Sequence, residues 1–486
     1  GLGDVYKRQS ALSLFLAAAF IFTCAACGNK NTGSQDSGID GDFFTDDEVV
    51  ISNDTDGADS KTGASDSNAA ENSSANTSKG NKIGGKSWKE VLAGMPKKLR
   101  GTTVTVYNWN PAYEYSGAPA AIEKFEKQTG IKVEWKTENF NTYLSKLASM
   151  VASDTAPDVA RLRNPFPTGL LSIQPITATG YDFSDDAWDK GVMKDYTFGN
   201  KTYGLSLKNT HIGSVAMLMY NSSLISKYDL DDPYKLWKSG KWTWDTFIKM
   251  CGDYKKAANA EFACGGEVDW SVWAAMRNNS GPIGFDGSKF YNNTSDAKFL
   301  EVTQSIADIY NTNHLFKLWS ADEFNSGKCL FWSGGAVYTR RKNAYMGSLK
   351  SAGTLKTVPY PAVEGQDKYY QFTSNEYEAY GVVKGAKNAE AVPYFLRWFM
   401  DADNYDLNAF FCNAQTLEVY NWCMSQENKI WVTCYAVDKN YDSANADDFS
   451  KINETPGAQI ASFVKSNSSI IDARVNRYNQ ALSQLK

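Results

Sequence analysis

Apolar and polar positions divide the chain into three materials. Residues 10–26 (SALSLFLAAAFIFTCAA) form one apolar run behind Lys7 and Arg8. A basic start and an apolar core of this length resemble a secretory signal better than a membrane span, with an uncleaved anchor as the alternative. Residues 28 to about 87 are mainly Ser, Asn, Asp, Gly, Thr and Ala, with one short apolar island at Phe43, Phe44, Val49, Val50 and Ile51. From about Arg100 the pattern becomes regular. Thr103–Tyr107 (TVTVY) is β-branched and aromatic, a strand signal. A helix is expected from about Ala118, with Ile122 and Phe125 on one face and Gly130 as its stop. Ile131, Val133 and Trp135 alternate with Lys132 and Glu134, a second strand. Tyr143, Leu144, Leu147 and Val151 make the stripe of a second helix, and a third strand starts after Ala156-Pro157-Asp158. This βαβαβ order predicts an α/β fold with a parallel sheet and a ligand crevice at the carboxyl ends of its strands.

Composition sharpens these divisions. Residues 28–87 carry 11 acidic and 5 basic side chains, and all 14 tryptophans lie from Trp88 onward. Such a segment has too little apolar surface to offset its ordering entropy, so residues 28–97 read as a disordered tether. Sixty such residues reach roughly 40–45 Å. Cys24-Ala25-Ala26-Cys27 matches a bacterial lipobox, in which small residues precede a cysteine that is acylated and becomes the new N-terminus. Cys27 is therefore the expected lipidation site, and residues 1–27 the signal peptide. Residues 1–9 lack an initiator Met and are set aside from the fold as an artefact. Several acyl chains would anchor the protein stably where one would not. Net charge of the whole chain is −5, which leaves no basic field for nucleic acid. Two histidines, His211 and His314, offer little for a His-rich metal site. No metal, cofactor or catalytic residue is expected.

Nine segments then occur in an order that resembles a known family. They are TVTVYNWN (103–110), EKQTGIKVEW (126–135), LSKLASMVASDTAPDVARLRN (144–164), FGNKTYGLSL (198–207), VAMLMYNSSLISKYDL (215–230), KWTWDTFIKMC (241–251), FNSGKCLFWSGG (324–335), VPYPAVEGQ (358–366) and YEAYGVVKGAKNAEAVPYFLRWFM (377–400). Each is short, but their order and spacing resemble the extracellular solute-binding proteins of ABC importers, family 1, which include maltodextrin-binding proteins. The resemblance implies a two-lobe periplasmic-binding-protein-like (type II) clamp with hinge crossings. Lobe one would be residues 98–213 and 359–402, and lobe two residues 214–358 and 403–486. Crossings would fall near 206–213, 358–361 and 402–407. The implied protein is a monomer on the outer face of a bacterial cell membrane. It would be held there by lipid, taking a carbohydrate solute to permease subunits.

Sugar recognition needs flat aromatic faces against pyranose C–H groups and planar polar groups for vicinal hydroxyls. Trp109, Tyr113 and Tyr115 follow the first strand, Asn139 the second, and Arg161, Arg163 and Asn164 the third, where the resemblance places polar ligand contacts. For the second lobe the expected contacts are Trp270 and Trp273, beside Glu267 and Asp269, and Trp332 in FWSGG. Glu376 and Tyr377 precede the strand that contains Tyr380. Trp88, Trp135, Trp188, Trp237, Trp398 and Trp422 read as packing residues. One departure stands out: relatives often carry an aromatic two residues after the first Gly of FWSGG, and this chain has Ala336. Trp332 or Tyr338 takes that place, or the ligand differs.

Six cysteines follow the lipobox. Cys251–Cys264 and a pair among Cys412, Cys423 and Cys434 are sequence-close candidates for disulfides, with buried thiols as the alternative. The rival function is a lipid-anchored glycan hydrolase using two carboxylates from Glu267, Asp269 and Glu376. A third reading keeps the binding fold and changes the solute.

Overall fold

Ten strands build two five-stranded sheets. In chain order they are β1 (Thr103–Asn108), β2 (Lys132–Thr137), β3 (Val159–Leu162), β4 (Ile173–Gln174), β5 (Ala216–Asn221), β6 (Cys264–Gly266), β7 (Phe316–Leu318), β8 (Phe331–Gly335), β9 (Leu355–Val358) and β10 (Ala379–Val383). They come from a computed structural model. It describes residues 85–112, 117–162, 166–208, 210, 215–266, 281–318, 320–341, 345–365, 369–371, 379–425, 429–431 and 454–486, all in the unit that spans 69–486.

The first sheet has the order β2-β1-β3-β10-β4, with β1 parallel to both β2 and β3 and β10 antiparallel to β3 and β4. Its connections follow the sequence pattern. Helix Ala118–Thr129 buries Ala118, Ala121 and Phe125, and ends at Gly130 with φ 71°. An L-residue rarely adopts that left-handed conformation, which is why glycine stops the helix there. Helix Tyr143–Ala152 turns Tyr143 and Leu147 inward. Val104, Val106, Phe125, Ile131, Phe395 and Phe399 meet in one buried cluster on one side of the sheet.

The second sheet repeats the scheme, in the order β7-β6-β8-β5-β9. Here β6 is parallel to β7 and β8, and β5 is antiparallel to β8 and β9. All five residues of β8 and all six of β5 are buried, as befits central strands covered on both faces.

Register shows which edges the crossings join. Ala379 opens β10 opposite Leu162, the last residue of β3, and Ala216 opens β5 opposite Gly335, the last residue of β8. Leu205 bridges Tyr380, and the chain then runs to β5. The first crossing therefore links the carboxyl edges of the two parallel systems. Thr210 of this crossing bridges Asp401 of the third, and the Tyr420 hydroxyl donates to the Thr210 carbonyl at 3.3 Å. Further along, the Tyr405 hydroxyl donates to the Phe399 carbonyl, and Phe411 bridges Arg340.

Two expected boundaries change. Residues 85–97 include structure rather than tether throughout: Trp88–Ala93 is a helix, Val91, Met95 and Leu99 are buried, and the Trp88 ring lies 4.9 Å from Trp398. Ser87 and Glu90 form a capping box at its start. Replacing Ser87 with Ala is expected to cost about 1 kcal/mol locally, read as faster amide exchange over 88–99. The second correction concerns residues 359–364, expected in lobe one. They run along residues 242–245 of lobe two, with Trp242 Nε1 donating to the Pro359 carbonyl at 2.9 Å and the Ala362 and Trp244 N–H groups each bonding across. The buried Trp242 and Trp244 hold this extended stretch on the second lobe.

Helix Ile460–Leu485 touches both lobes. It packs on strand Phe290–Asn292 and on Pro167–Leu170, stacks Tyr478 on Phe166 at 5.3 Å, and accepts the Tyr203 hydroxyl at the Leu485 carbonyl. Cys251, Cys264 and Cys329 are buried free thiols and Cys412 is half-buried and free, so the Cys251–Cys264 disulfide does not form here, and Cys423 is buried. Burial pushes the Cys251 and Cys264 thiols well above their ordinary range. Cys434 lies outside the described residues.

Candidate ligand cleft

The carboxyl edge of the first sheet carries an aromatic and basic cluster built on backbone hydrogen bonds. Tyr143 reaches from its helix and directs its hydroxyl to the carbonyls of Tyr107 (3.0 Å) and Arg161 (2.9 Å), stapling β1 to β3 at this edge. Its ring stacks on Tyr107 at 4.5 Å, and burial raises the Tyr107 phenol above its ordinary range. Asn108, fully buried at the end of β1, donates to the Tyr380 hydroxyl at 3.3 Å and accepts from the Asn110 N–H at 3.0 Å. The Asn110 carbonyl in turn accepts from Trp135 Nε1 at 2.9 Å.

Trp109 stands between those two anchored asparagines. Its half-buried ring lies 5.0 Å from Tyr143 at 89° and 5.7 Å from Phe140 at 79°. The Arg161 guanidinium carbon sits 4.3 Å from the ring centroid, and Arg161 is only 4% exposed. Ring and cation are thus fixed by groups that leave part of the indole at the surface.

Asn139 sits in the exposed turn after β2, one residue from Phe140. Its N–H donates to Glu138 and its side-chain oxygen accepts from the Asn141 N–H at 2.9 Å, so the turn already uses it. Trp332 is placed otherwise than expected. It is the second residue of β8, 0% exposed, within a cluster that holds Met219, Phe324, Cys329, Leu349 and Leu355. Tyr338, the other substitute for the missing aromatic at Ala336, is also buried, 4.6 Å from Trp332. Both rings are core, so neither offers a ligand face.

Tyr113, Arg163, Asn164, Trp270, Trp273, Glu376 and Tyr377 lie outside the described residues, as does Cys27. Arg163 directly follows β3, Trp270 is four residues beyond β6, and Tyr377 is two residues before β10. These strand ends belong to the edges joined by the crossings. The cluster of Asn108, Tyr143, Phe140 and Arg161 around Trp109 was not legible as a unit, because its members lie up to 53 residues apart (108 to 161). Trp109 just past the first strand and the Arg in an otherwise apolar VARL strand were its signals.

Comparison with known proteins places this architecture. A family model described as bacterial extracellular solute-binding protein matches residues 120–409, more than half of the chain. No curated protein sequence matches it. Among solved structures, the chain is similar to an ABC substrate-binding protein from Listeria monocytogenes in complex with cycloalternan, with TM-score 0.55 at 15% identity, over 76% of this chain and 99% of that one. It is also similar to the galacto-N-biose-/lacto-N-biose I-binding protein of the Bifidobacterium longum ABC transporter, with TM-score 0.57 at 16% identity, over 77% and 98%. The sugar-binding protein MalE from Xanthomonas citri gives TM-score 0.56 at 14% identity, over 79% and 98%. The shared fold is the two-lobe type II clamp.

Proposed function

This chain belongs to the bacterial extracellular solute-binding protein family, and from that membership we propose that it captures a mono- or oligosaccharide between its lobes and delivers it to the permease of an ABC importer. The observation that carries the carbohydrate reading is the half-buried Trp109, braced at the carboxyl edge of the first sheet. A rigid indole with part of its surface open is what a pyranose ring stacks on, and carbohydrate complexes of similar folds support the same class of solute. Binding without chemistry is the expected activity, with no glycan cleavage.

Isothermal titration with maltotriose, lacto-N-biose and cycloalternan, extended to monosaccharides, tests the proposal. A true ligand at one hundred times its dissociation constant stabilises the protein by about 2.7 kcal/mol. Products released from any of these glycans would favour the hydrolase instead, and saturation only by a non-sugar solute would replace the ligand class. Closure should accompany capture, because contacts from both lobes favour the shut state. Small-angle scattering on the chain from residue 28 is expected to give a smaller radius of gyration with saturating sugar. An unchanged radius for a tight ligand would mean a site confined to one lobe.

Acylation of Cys27 holds the protein at the outer membrane surface in this proposal, as a monomer. Changing Cys27 to Ala should then move the protein from the membrane fraction to the soluble one, or leave it unprocessed. Equal fractionation of variant and wild type would remove the lipid anchor from the proposal.

A further inference from the structure

We infer that Arg161 is a positioning residue for ligand: it locks the Trp109 indole from one face and thereby decides which side of the ring a solute can use. The inference rests on the proposed carbohydrate site and deepens it. Arg161 lies on β3, beside β1, whose next residue beyond its end is Trp109. Its guanidinium carbon is 4.3 Å from the indole centroid, and the side chain is almost fully withdrawn from water. A desolvated cation over an indole is strongly held. Guanidinium adds what an ammonium lacks, a flat and weakly hydrated face that lies against the ring.

The backbone that carries the cation is held in place. The Arg161 carbonyl accepts the Tyr143 hydroxyl, which also bonds the Tyr107 carbonyl two residues before Trp109. Asn108 and Asn110 are fixed on either side of the indole by their bonds to Tyr380 and Trp135. The backbone of the loop is therefore set independently of Arg161. What the backbone cannot set is the rotation of the indole about its own side-chain bonds. Groups that bear on the ring include Arg161 over its face and Tyr143 and Phe140 at near right angles. Ordering a side chain before ligand arrives removes a cost that binding would otherwise meet. The face covered by Arg161 is closed to solute, so stacking takes place on the surface that Arg161 leaves.

The experiment uses the full chain labelled with 5-fluorotryptophan, the Trp109 resonance being assigned from the Trp109→Phe variant. Without sugar, Arg161→Met should shift and broaden that one resonance while the other tryptophans keep theirs. In titrations with maltotriose and lacto-N-biose, Arg161→Met is expected to weaken binding about tenfold, equivalent to about 1.4 kcal/mol. In a Trp109→Ala background the same change should cost less than about twofold, the scatter of independent sites. Arg161→Lys, which keeps the charge but not the flat face, carries the same comparison should the Met variant fold poorly. An unchanged Trp109 resonance overturns the proposal. So does an equal loss of affinity with and without Trp109, which would make Arg161 a direct ligand contact. If neither sugar nor any other binds wild type, the carbohydrate reading fails, while the ligand-free resonance still decides whether Arg161 holds the ring.

Discussion

Replacing Trp332 with Ala is expected to remove about 3–5 kcal/mol of folding stability and to leave ligand affinity unchanged. The indole is wholly buried, opposite Met219 in the sheet register, with the Tyr338 ring set across it at 75°. A Cβ on Gly334 would come within 2.2 Å of the Trp332 ring, so the indole occupies the space that the absent side chain leaves. Alanine would open a void between β8 and the elements around Phe324 and Leu349, and central strands paired on both sides have little freedom to collapse into it. Urea unfolding measures the loss, in the transition of the second lobe if the lobes melt separately, and titration calorimetry measures affinity. A variant that folds normally and binds weakly would put this ring back in the cleft.

The misplacement of Trp332 has a physical origin. FWSGG is expected to offer Trp332 to ligand, yet all five of its residues are strand and all are buried. Alternation distinguishes an inner from an outer face only where one face meets solvent. In β8 both faces are core, so no pattern could separate a packing ring from an exposed one. Where one face is wet or a helix carries a stripe, position follows from sequence: β1, β2 and the helices that follow them fall where Val104, Val133, Phe125 and Leu147 predict. The tryptophans assigned to packing also behave so, with Trp188 buried and Trp237 set against Trp422 at 5.3 Å.

Other misses arose from partners distant in the chain. The helix at 88–93 was legible locally, through Ser87-x-x-Glu90 before Val91, Met95 and Leu99, but its polar neighbours disguised it as tether. The run Pro359-Tyr360-Pro361 looks like a connector, and only its pairing with Trp242 and Trp244, more than a hundred residues earlier, keeps it on lobe two. Likewise the brace around Trp109 joins β1, a turn, a helix and β3. Each contributes one residue that looks ordinary alone.

Trp109 offers the complementary experiment to Trp332. Alanine there is expected to weaken sugar binding by roughly 1–3 kcal/mol, the scale for burying a large apolar side chain, or about 5- to 150-fold in dissociation constant. Unliganded stability should fall less than for Trp332, for two reasons. The indole is already partly exposed, so less apolar surface is lost from the folded state. Its neighbours are also held without it: Tyr143 by two backbone carbonyls and its stack on Tyr107, and the loop by Asn108 and Asn110. Arg161 does lose its ring, and a buried guanidinium without that partner limits how small the stability loss can be. The Trp109→Leu variant separates the terms, because it restores apolar bulk over Arg161 but no flat face for a sugar. It should therefore melt near wild type and bind like the alanine variant. Should it bind like wild type, stacking on this indole is not how the ligand is held.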